Sequence, residues 1–450
     1  MINYRKPIIY SALYLSGSKI PQHLKEIKRI ERFSDKEIKF YQEEKLKLVL
    51  LYAWKNVPYY HNVLSSTEVV NNDKVNLSNF SKIPVLTKKI IRKEGKNLYS
   101  VKRRNGSYEN TSGGSTGEPV RFLQDKEYDD WNIATKISYK KYGGQDIGER
   151  ELRLWGSERD LLEGKEKRSI RLRNWLYNRK ELNSFKMSEN NMRNFVQEWN
   201  KFKPTWVEAY VQSIYEFARF IKKNNLPIYS PKGVLTSAGT LYPEMKDLIG
   251  DVFNCSVFNR YGSREVGAVA CSCIEDKGLH LSVFNNYLEI LDKKRKPCLP
   301  GEIGKVFITT LNNFSMPLIR YDIGDIGSFS KEKCSCGVNL PLLEKIEGRE
   351  ITVFKTKNGK IIPGEFFIHF IGVVFNKDAI SKFQVIQKDY NLIEIKVVLV
   401  NRSKFEKDKP EIEQSIRKTM GSKCRIKWLV VNSIPSLQNG KYLYTVSYLK

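Results

Sequence analysis

The sequence predicts an α/β protein: a large N-terminal domain with a doubly wound sheet plus a small β-rich subdomain, followed by a small α+β C-terminal domain. Three observations carry this. Strand and helix patterns alternate from residue 120 to 270, as winding helices onto both faces of a parallel sheet requires. From residue 280 to 347, short apolar runs follow one another with turn residues between them. Beyond Gly348 a hairpin, helices and long strands fill about a hundred residues, a usual size for one more domain. With 450 residues the chain can bury more than one core. The expected boundaries are 1–347 and 348–450, with 271–340 as the β-rich, metal-carrying subdomain.

Residues 1–100 read mainly as helix. Ser34 and Glu37 form a capping box that opens a segment with apolar positions Ile38, Tyr41, Leu46, Leu48, Val49 and Ala53, ending at Pro58. Thr87 marks a second start after Ile83-Pro84-Val85-Leu86. Further on, Val207-Glu208-Ala209-Tyr210 and Gly233 to Ser237 read as strands, and Ile214 to Lys222 and Pro243 to Phe253 as helices. Tyr287 to Leu291 and Val306 to Leu311 flank the turn Pro300-Gly301-Glu302, as a hairpin or small barrel requires. Asn358-Gly359 is a hairpin turn. A helix near Lys409 to Met420 and a strand from Ile426 to Val431 complete the C-terminal domain.

Charge is the compositional anomaly. Lys and Arg number 77 against 50 Asp and Glu, a net charge of +27 that favours anionic partners such as nucleotides, acidic glycans or an anionic membrane face. The basic residues are spread along the chain rather than gathered in a tail. No apolar stretch reaches the roughly 20 residues of a bilayer crossing, so a cytoplasmic protein is expected, with membrane contact limited to its periphery. Seven cysteines, four of them in the close pairs Cys271/Cys273 and Cys334/Cys336, favour a metal site over disulfides.

The most informative stretch is Asn110-Thr111-Ser112-Gly113-Gly114-Ser115-Thr116-Gly117-Glu118-Pro119-Val120. Small and hydroxylated residues from Thr111 to Gly117 can turn many backbone N–H groups and four hydroxyls toward one anion, a phosphate cradle. A Walker loop would continue with Lys-Ser or Lys-Thr; this one continues Glu118-Pro119 and is not a P-loop. Tyr261-Gly262-Ser263-Arg264-Glu265 offers a ring face for a purine at Tyr261 and a hard carboxylate for magnesium at Glu265.

Ser112-Gly113-Gly114-Ser115-Thr116-Gly117-Glu118-Pro119 resembles the phosphate loop of the adenylate-forming enzymes, the superfamily of acyl-CoA synthetases and peptide-synthetase adenylation domains. Later stretches match that pattern in order. Tyr261 to Glu265 resembles the aromatic-Gly-x-x-Glu element. Arg320-Tyr321-Asp322-Ile323-Gly324-Asp325 resembles the element whose final aspartate, here Asp325, holds both ribose hydroxyls; Asp322 occupies a variable position and reads as a turn residue. Gly348-Arg349 is similar to the Gly-Arg at the hinge between the domains, and Gly440-Lys441 to the Gly-Lys that delivers the adenylation lysine. Two departures stand out. Glu350-Ile351-Thr352 follows Arg349 where an acidic hinge residue is common, and Thr236-Ser237-Ala238-Gly239 lies where a Gly-Glu pair usually borders the adenine. Ala53-Trp54-Lys55-Asn56-Val57-Pro58-Tyr59-Tyr60 and Ile83-Pro84-Val85-Leu86-Thr87-Lys88 look like N-terminal signatures of the phenylacetate-CoA ligase family, and Tyr261-Gly262-Ser263-Arg264-Glu265 like its capsular polysaccharide (CapK-like) branch.

The resemblance implies ATP-dependent activation of a carboxylic acid as an acyl-adenylate, with Lys441 and Glu265 catalytic and Mg²⁺ at Glu265. ATP would be held by Thr111, Ser112, Gly113, Gly114, Ser115, Thr116, Gly117, Tyr261, Gly262, Asp325 and Arg349. The acyl group would pass to a thiol, such as CoA, or to an amine. An alternative is amide formation on a sugar-acid carboxylate in capsule or exopolysaccharide synthesis. An alternative of another class, a non-catalytic nucleotide or nucleic-acid binder, has no need of Lys441, so no nucleic-acid partner is expected. Trp131, Tyr139, Trp155 and Tyr210 fall near the acyl pocket by order along the chain. Cys273, His280, Cys334 and Cys336 supply the three thiolates and one imidazole of a closed zinc shell, a set that the resembling proteins share, with Cys271 as the substitute for Cys273.

Overall fold

In the computed structural model, which describes residues 3–102, 106–112, 120–156, 168–347, 353–364, 366–367, 370–371, 379–434 and 443–449, local signals set the N-terminal helices. Ser34 caps the helix Asp35–Asn56: its side chain accepts the Glu37 N–H, and the Glu37 carboxylate accepts the Ser34 N–H at 2.7 Å. Pro58 starts the next helix, Pro58–Ser66, because its fixed φ suits a first turn. Thr87 caps Lys88–Glu94 by accepting the Ile90 N–H. Between these helices lies a two-strand hairpin, Val70–Asn71 (β1) and Lys74–Val75 (β2). Ile27, Ile30, Val49, Leu50 and Ala53 are buried together with apolar side chains of the antiparallel strands below. Each large side chain so buried stabilises the fold by about 1.5–3 kcal/mol.

Tyr108–Thr111 (β3) and Arg121–Gln124 (β4) pair antiparallel at the two ends of the glycine-rich loop. Glu151–Trp155 (β5), Arg179–Asn183 (β6), Trp206–Tyr210 (β7), Gly233–Ser237 (β8) and Ser256–Ser263 (β9) then run parallel in the order β6-β5-β7-β8-β9. On one face Leu152, Leu154, Val207, Ala209 and Val234 meet the helices Glu189–Phe202, Val211–Lys223 and Pro243–Phe253. On the other, Trp206, Leu235 and Phe258 meet Tyr139 of the helix Lys126–Tyr142. This is the doubly wound sheet that the alternating pattern predicts.

Gly267–Ser272 (β10), Leu279–Leu281 (β11), Asn286–Leu291 (β12), Gly304–Thr310 (β13), Tyr321–Phe329 (β14) and Leu342–Glu347 (β15) are antiparallel. Rather than forming a sheet of their own, they extend the parallel one in the order β9-β10-β11-β15-β14-β13-β12. The joint is β9. Ser256 to Asn259 pair parallel with β8, and Arg260 to Ser263 pair antiparallel with β10. Arg320, in a left-handed conformation (φ +50°), ties this half to the N-terminal helices. Its guanidinium donates to both oxygens of Glu289 at 3.1 Å and to the carbonyls of Ser81 and Ile83 at 2.6 and 2.7 Å.

At the C-terminal end, Val353–Lys355 (β16) and Ile361–Pro363 (β17) form the hairpin expected at Asn358-Gly359, with Gly359 at φ +71°. Ile380–Asp389 (β18), Leu392–Leu399 (β19), Arg425–Val430 (β20) and Thr445–Ser447 (β21) make a sheet of order β20-β19-β18-β21, backed by the helix Arg402–Met420. That helix starts earlier than expected. Pro410 suggests a first turn, but Asn401 provides the cap by accepting the Lys404 N–H at 3.1 Å, and the proline is carried inside the helix. Phe354, Phe366, Phe367, Phe370 and Phe383 fill the core with Ile412 and Ile416. No described helix is long and apolar enough to cross a membrane.

Candidate functional site

The joint in β9 brings the sequence motifs together. Open α/β sheets bind ligands beyond the carboxyl ends of their parallel strands, and the parallel part of β9 ends where Arg260-Tyr261-Gly262 begins. Gly262 fits there for steric reasons: a Cβ on it would lie 2.3 Å from the Gly267 carbonyl oxygen on β10. Gly262→Ala is therefore expected to push β10 away and lower stability by about 1–3 kcal/mol, read as a fall in melting temperature.

The base of the glycine-rich loop is anchored to this joint. Ser112 is fully buried, its N–H donates to the Val120 carbonyl at 2.9 Å, and its Oγ accepts the Val120 N–H at 2.9 Å. Ser112 thus braces the loop from below. Thr111, half-buried, continues the β3–β4 pairing opposite Arg121. Asn110 Oδ1 accepts from Arg264 at 3.0 Å, and Gln124 Nε2 donates to the Arg264 carbonyl at 2.7 Å. Asn110 and Gln124 also bond to each other at 2.9 Å. Sequence reasoning missed this polar bracket, although an amide residue at each end of the loop was its visible signal. Gly113, Gly114, Ser115, Thr116 and Gly117 lie outside the described residues, as do Gly348, Arg349 and Lys441.

From the other side β14 reaches the same point. Tyr261 Oη donates to the Asp325 carboxylate at 2.7 Å, and Tyr321 Oη donates to the Glu265 carboxylate at 3.4 Å. Asp325 and Glu265 are both buried. A ring, two carboxylates and the loop base therefore converge from three separate stretches of chain. Asp322 accepts the Gly324 N–H at 3.0 Å, as a turn residue would. The aromatic residues placed near the acyl pocket divide. Trp131 stacks on His23 at 4.1 Å and Tyr139 donates to or accepts from Ser282 inside the core, so both are packing residues. Trp155 and Tyr210 stand side by side at the strand ends, ring centroids 4.0 Å apart.

A second cluster lies at the β10–β11 turn and the β14–β15 connection. Cys273, His280, Cys334 and Cys336 have ligand atoms all within 4.8 Å of one another. Cys273 Sγ is 3.4 Å from Cys334 Sγ, and Cys336 Sγ is 3.3 Å from His280 Nε2. Zn–S bonds of about 2.3 Å and Zn–N bonds of about 2.0 Å set tetrahedral ligands slightly farther apart than this, so the four fit one small ion. Cys271 does not belong to the cluster: it pairs with His280 across β10 and β11, but is buried beside Tyr139 and Trp206. Burial pushes the Cys336 thiol up to about 12 and the His280 imidazole below its ordinary value. A bound cation would be needed to draw such thiols into thiolate form at neutral pH.

Residues 354–448 match the family model of the CapK C-terminal domain. Over the full length of both chains the protein is 25% identical to Protein CapK of Staphylococcus aureus. It is 23% identical to phenylacetate-coenzyme A ligase of Thermus thermophilus, covering 74% of this chain and 75% of that one. Among solved structures, 2-hydroxyisobutyryl-CoA ligase with its acyl-adenylate and CoA superposes with a TM-score of 0.62 at 16% identity, over 93% of this chain and 92% of the other, a likeness of fold. The ordered motifs, the converging site and these similarities point the same way: the chain is similar over its full length to Protein CapK and over about three quarters of it to a phenylacetate-coenzyme A ligase, and its C-terminal part matches the CapK C-terminal domain.

Proposed function

We propose that this AMP-forming ligase activates a carboxylic acid as an acyl-adenylate, releases pyrophosphate, and passes the acyl group to a thiol or amine. The observation that supports this reading most directly is the convergence of Tyr261, Glu265 and Asp325 on the base of the glycine-rich loop. In this reading the Tyr261 ring faces the adenine and the Asp325 carboxylate, oriented by the Tyr261 hydroxyl, accepts from the ribose. Loop N–H groups from Gly113 to Gly117 receive the phosphates, with Thr111 and Ser112 at the loop's entrance and Arg349 and Lys441 arriving from the C-terminal region. Glu265 would hold Mg²⁺, which when bound offsets phosphate charge; its burial beside Tyr321 keeps the carboxylate in one orientation. Cys273, His280, Cys334 and Cys336 would hold a structural Zn²⁺. The C-terminal unit from residue 348 onward acts as the mobile part that brings Lys441 in.

ATP–pyrophosphate exchange across a library of carboxylic acids tests the reaction. Acid-dependent exchange is the expected result, and its absence with every acid in ATP-binding protein would sink the proposal. Tyr261→Phe is a milder check. It removes a hydrogen bond to a buried carboxylate, worth about 1.5–3 kcal/mol, and should weaken ATP binding by about 10- to 100-fold in a calorimetric titration.

A further inference from the structure

One face of the parallel sheet carries an unusual charge layer. Directly beneath the strand-end residues Trp155, Tyr210 and Ser237, β5, β7 and β9 present Arg153, Glu208 and Arg260, and the helix Lys126–Tyr142 lays Lys136 and Lys140 against them. Glu208 accepts from Arg153 at 2.7 Å and from Arg260 at 2.8 Å, with Lys140 at 3.8 Å. Glu151, lower on the same face, accepts from Lys140 at 2.8 Å, Arg153 at 3.0 Å and Arg179 at 3.2 Å. The side chains of Glu208, Glu151 and Arg260 retain 4%, 6% and 9% exposure, whereas Arg153 retains 24%, so the layer opens to solvent at Arg153.

Among the described residues the layer is unbalanced. Lys136, Lys140, Arg153, Arg179 and Arg260 face Glu151 and Glu208, and a further described carboxylate acting on Arg153 is the exposed Glu181. Lys136 makes no ion pair among the described residues. Asp129, nearly two turns away on its own helix, is already engaged by the Tyr108 hydroxyl at 2.8 Å. Burial, with Arg260 next to it, pushes Lys136 down to about 7. Holding cations together without enough counter-charge costs stability, so a surplus of this kind at a ligand-facing strand end fits an anion that arrives from outside. Arg260 also immediately precedes Tyr261, which puts the layer one residue from the proposed nucleotide face.

We propose that this layer recognises the acid to be activated, and that the acid carries a second anionic group, carboxylate or phosphate, besides the carboxylate that is activated. Lys136 and Arg153 are the specificity-determining residues, and the Trp155–Tyr210 pair forms the wall above them. The assignment rests on the ligase reading and narrows its substrate class from any acid to a dianionic one.

The test uses paired acids that differ only in the second anion: glutarate against pentanoate, and 3-phosphoglycerate against glycerate. For each, kcat/KM in ATP–pyrophosphate exchange and affinity by calorimetry are measured on the full chain, the two pairs separating carboxylate from phosphate. The expected result is at least a tenfold preference for the doubly anionic member of one pair. Lys136→Met should reduce that preference at least tenfold, Lys136→Arg should retain it, and the methionine variant should melt at a higher temperature than the parent because it removes an unpaired, largely desolvated amine. Equal use of both members, preference for the singly charged one, or a preference untouched by Lys136→Met would overturn the assignment while leaving adenylation intact. If no acid drives exchange, calorimetry decides: dianion binding lost in Lys136→Met upholds the anion site and removes the ligase reading, and absence of dianion binding in the parent overturns the site.

Discussion

Lys441→Ala should lose acid-dependent pyrophosphate exchange by about 10²- to 10³-fold or more, the effect of removing one preorganised charge donor. Ground-state ATP binding should change far less. An ammonium placed against the α-phosphorus acts on charge that develops only as the carboxylate attacks and pyrophosphate leaves, so its loss falls on the transition state. The second half-reaction provides the discriminating control. Given a chemically synthesised acyl-adenylate and the right acceptor, Lys441→Ala should still transfer the acyl group, because no phosphoryl charge develops in that step. Equal loss in both half-reactions would mean that the C-terminal domain docks in one orientation only or that Asn439-Gly440-Lys441 is merely a structural turn, and no loss in either would remove Lys441 from adenylation.

The Cys334→Ser, Cys336→Ser double variant should lose its metal and a measurable part of its stability. Purified parent protein is expected to contain about one zinc per chain, by the closed four-ligand shell. Structural zinc binds zinc-finger peptides with about 10–16 kcal/mol, but here the ligands hang on a turn and a connection of a larger hydrogen-bonded sheet, so only part of that is expected to enter global unfolding. A fall of about 2–5 °C in melting temperature follows from a few kcal/mol spread over a chain of this size. Hydrogen exchange should speed up first at the β14–β15 connection and the β10–β11 turn, which the shell ties together. Parent protein prepared without chelator and found free of zinc would refute the site. Cys271→Ser serves as the control: Cys271 is not among the four clustered ligands, so zinc content should persist.

Much of this site was legible because its signals are local. A capping box, a run of glycines and hydroxyls, or an aromatic beside a glycine can be read within a few residues, and Ser34, Thr87 and the Asn358-Gly359 turn behave as their local chemistry dictates. Long-range pairing was not legible. Apolar runs from Tyr287 to Leu291 and from Val306 to Leu311 announce strands, but nothing in them states that they extend the parallel sheet rather than close on themselves. The helix expected near Lys409 to Met420 begins earlier because the Asn401 cap starts it and Pro410 is carried inside. The charge layer was invisible for a third reason. Lys136, Arg153, Glu208 and Arg260 look like ordinary surface charges one at a time, and only the strand register puts them on one buried face.

The shared strand β9 also limits how such a chain can be recombined. Because its first half is hydrogen-bonded to the parallel strands and its second half to the antiparallel ones, no cut between the two leaves either with a finished edge. A hybrid that swaps substrate-facing strands from another ligase would need to carry β5 through β15 as one cassette. Inserting or deleting a single residue at Asn259 or Arg260 would turn Tyr261 to the wrong face and Arg260 out of the charge layer together, coupling nucleotide and acid recognition in one lesion. The practical seam for domain grafting therefore lies after Glu347, where the large sheet ends.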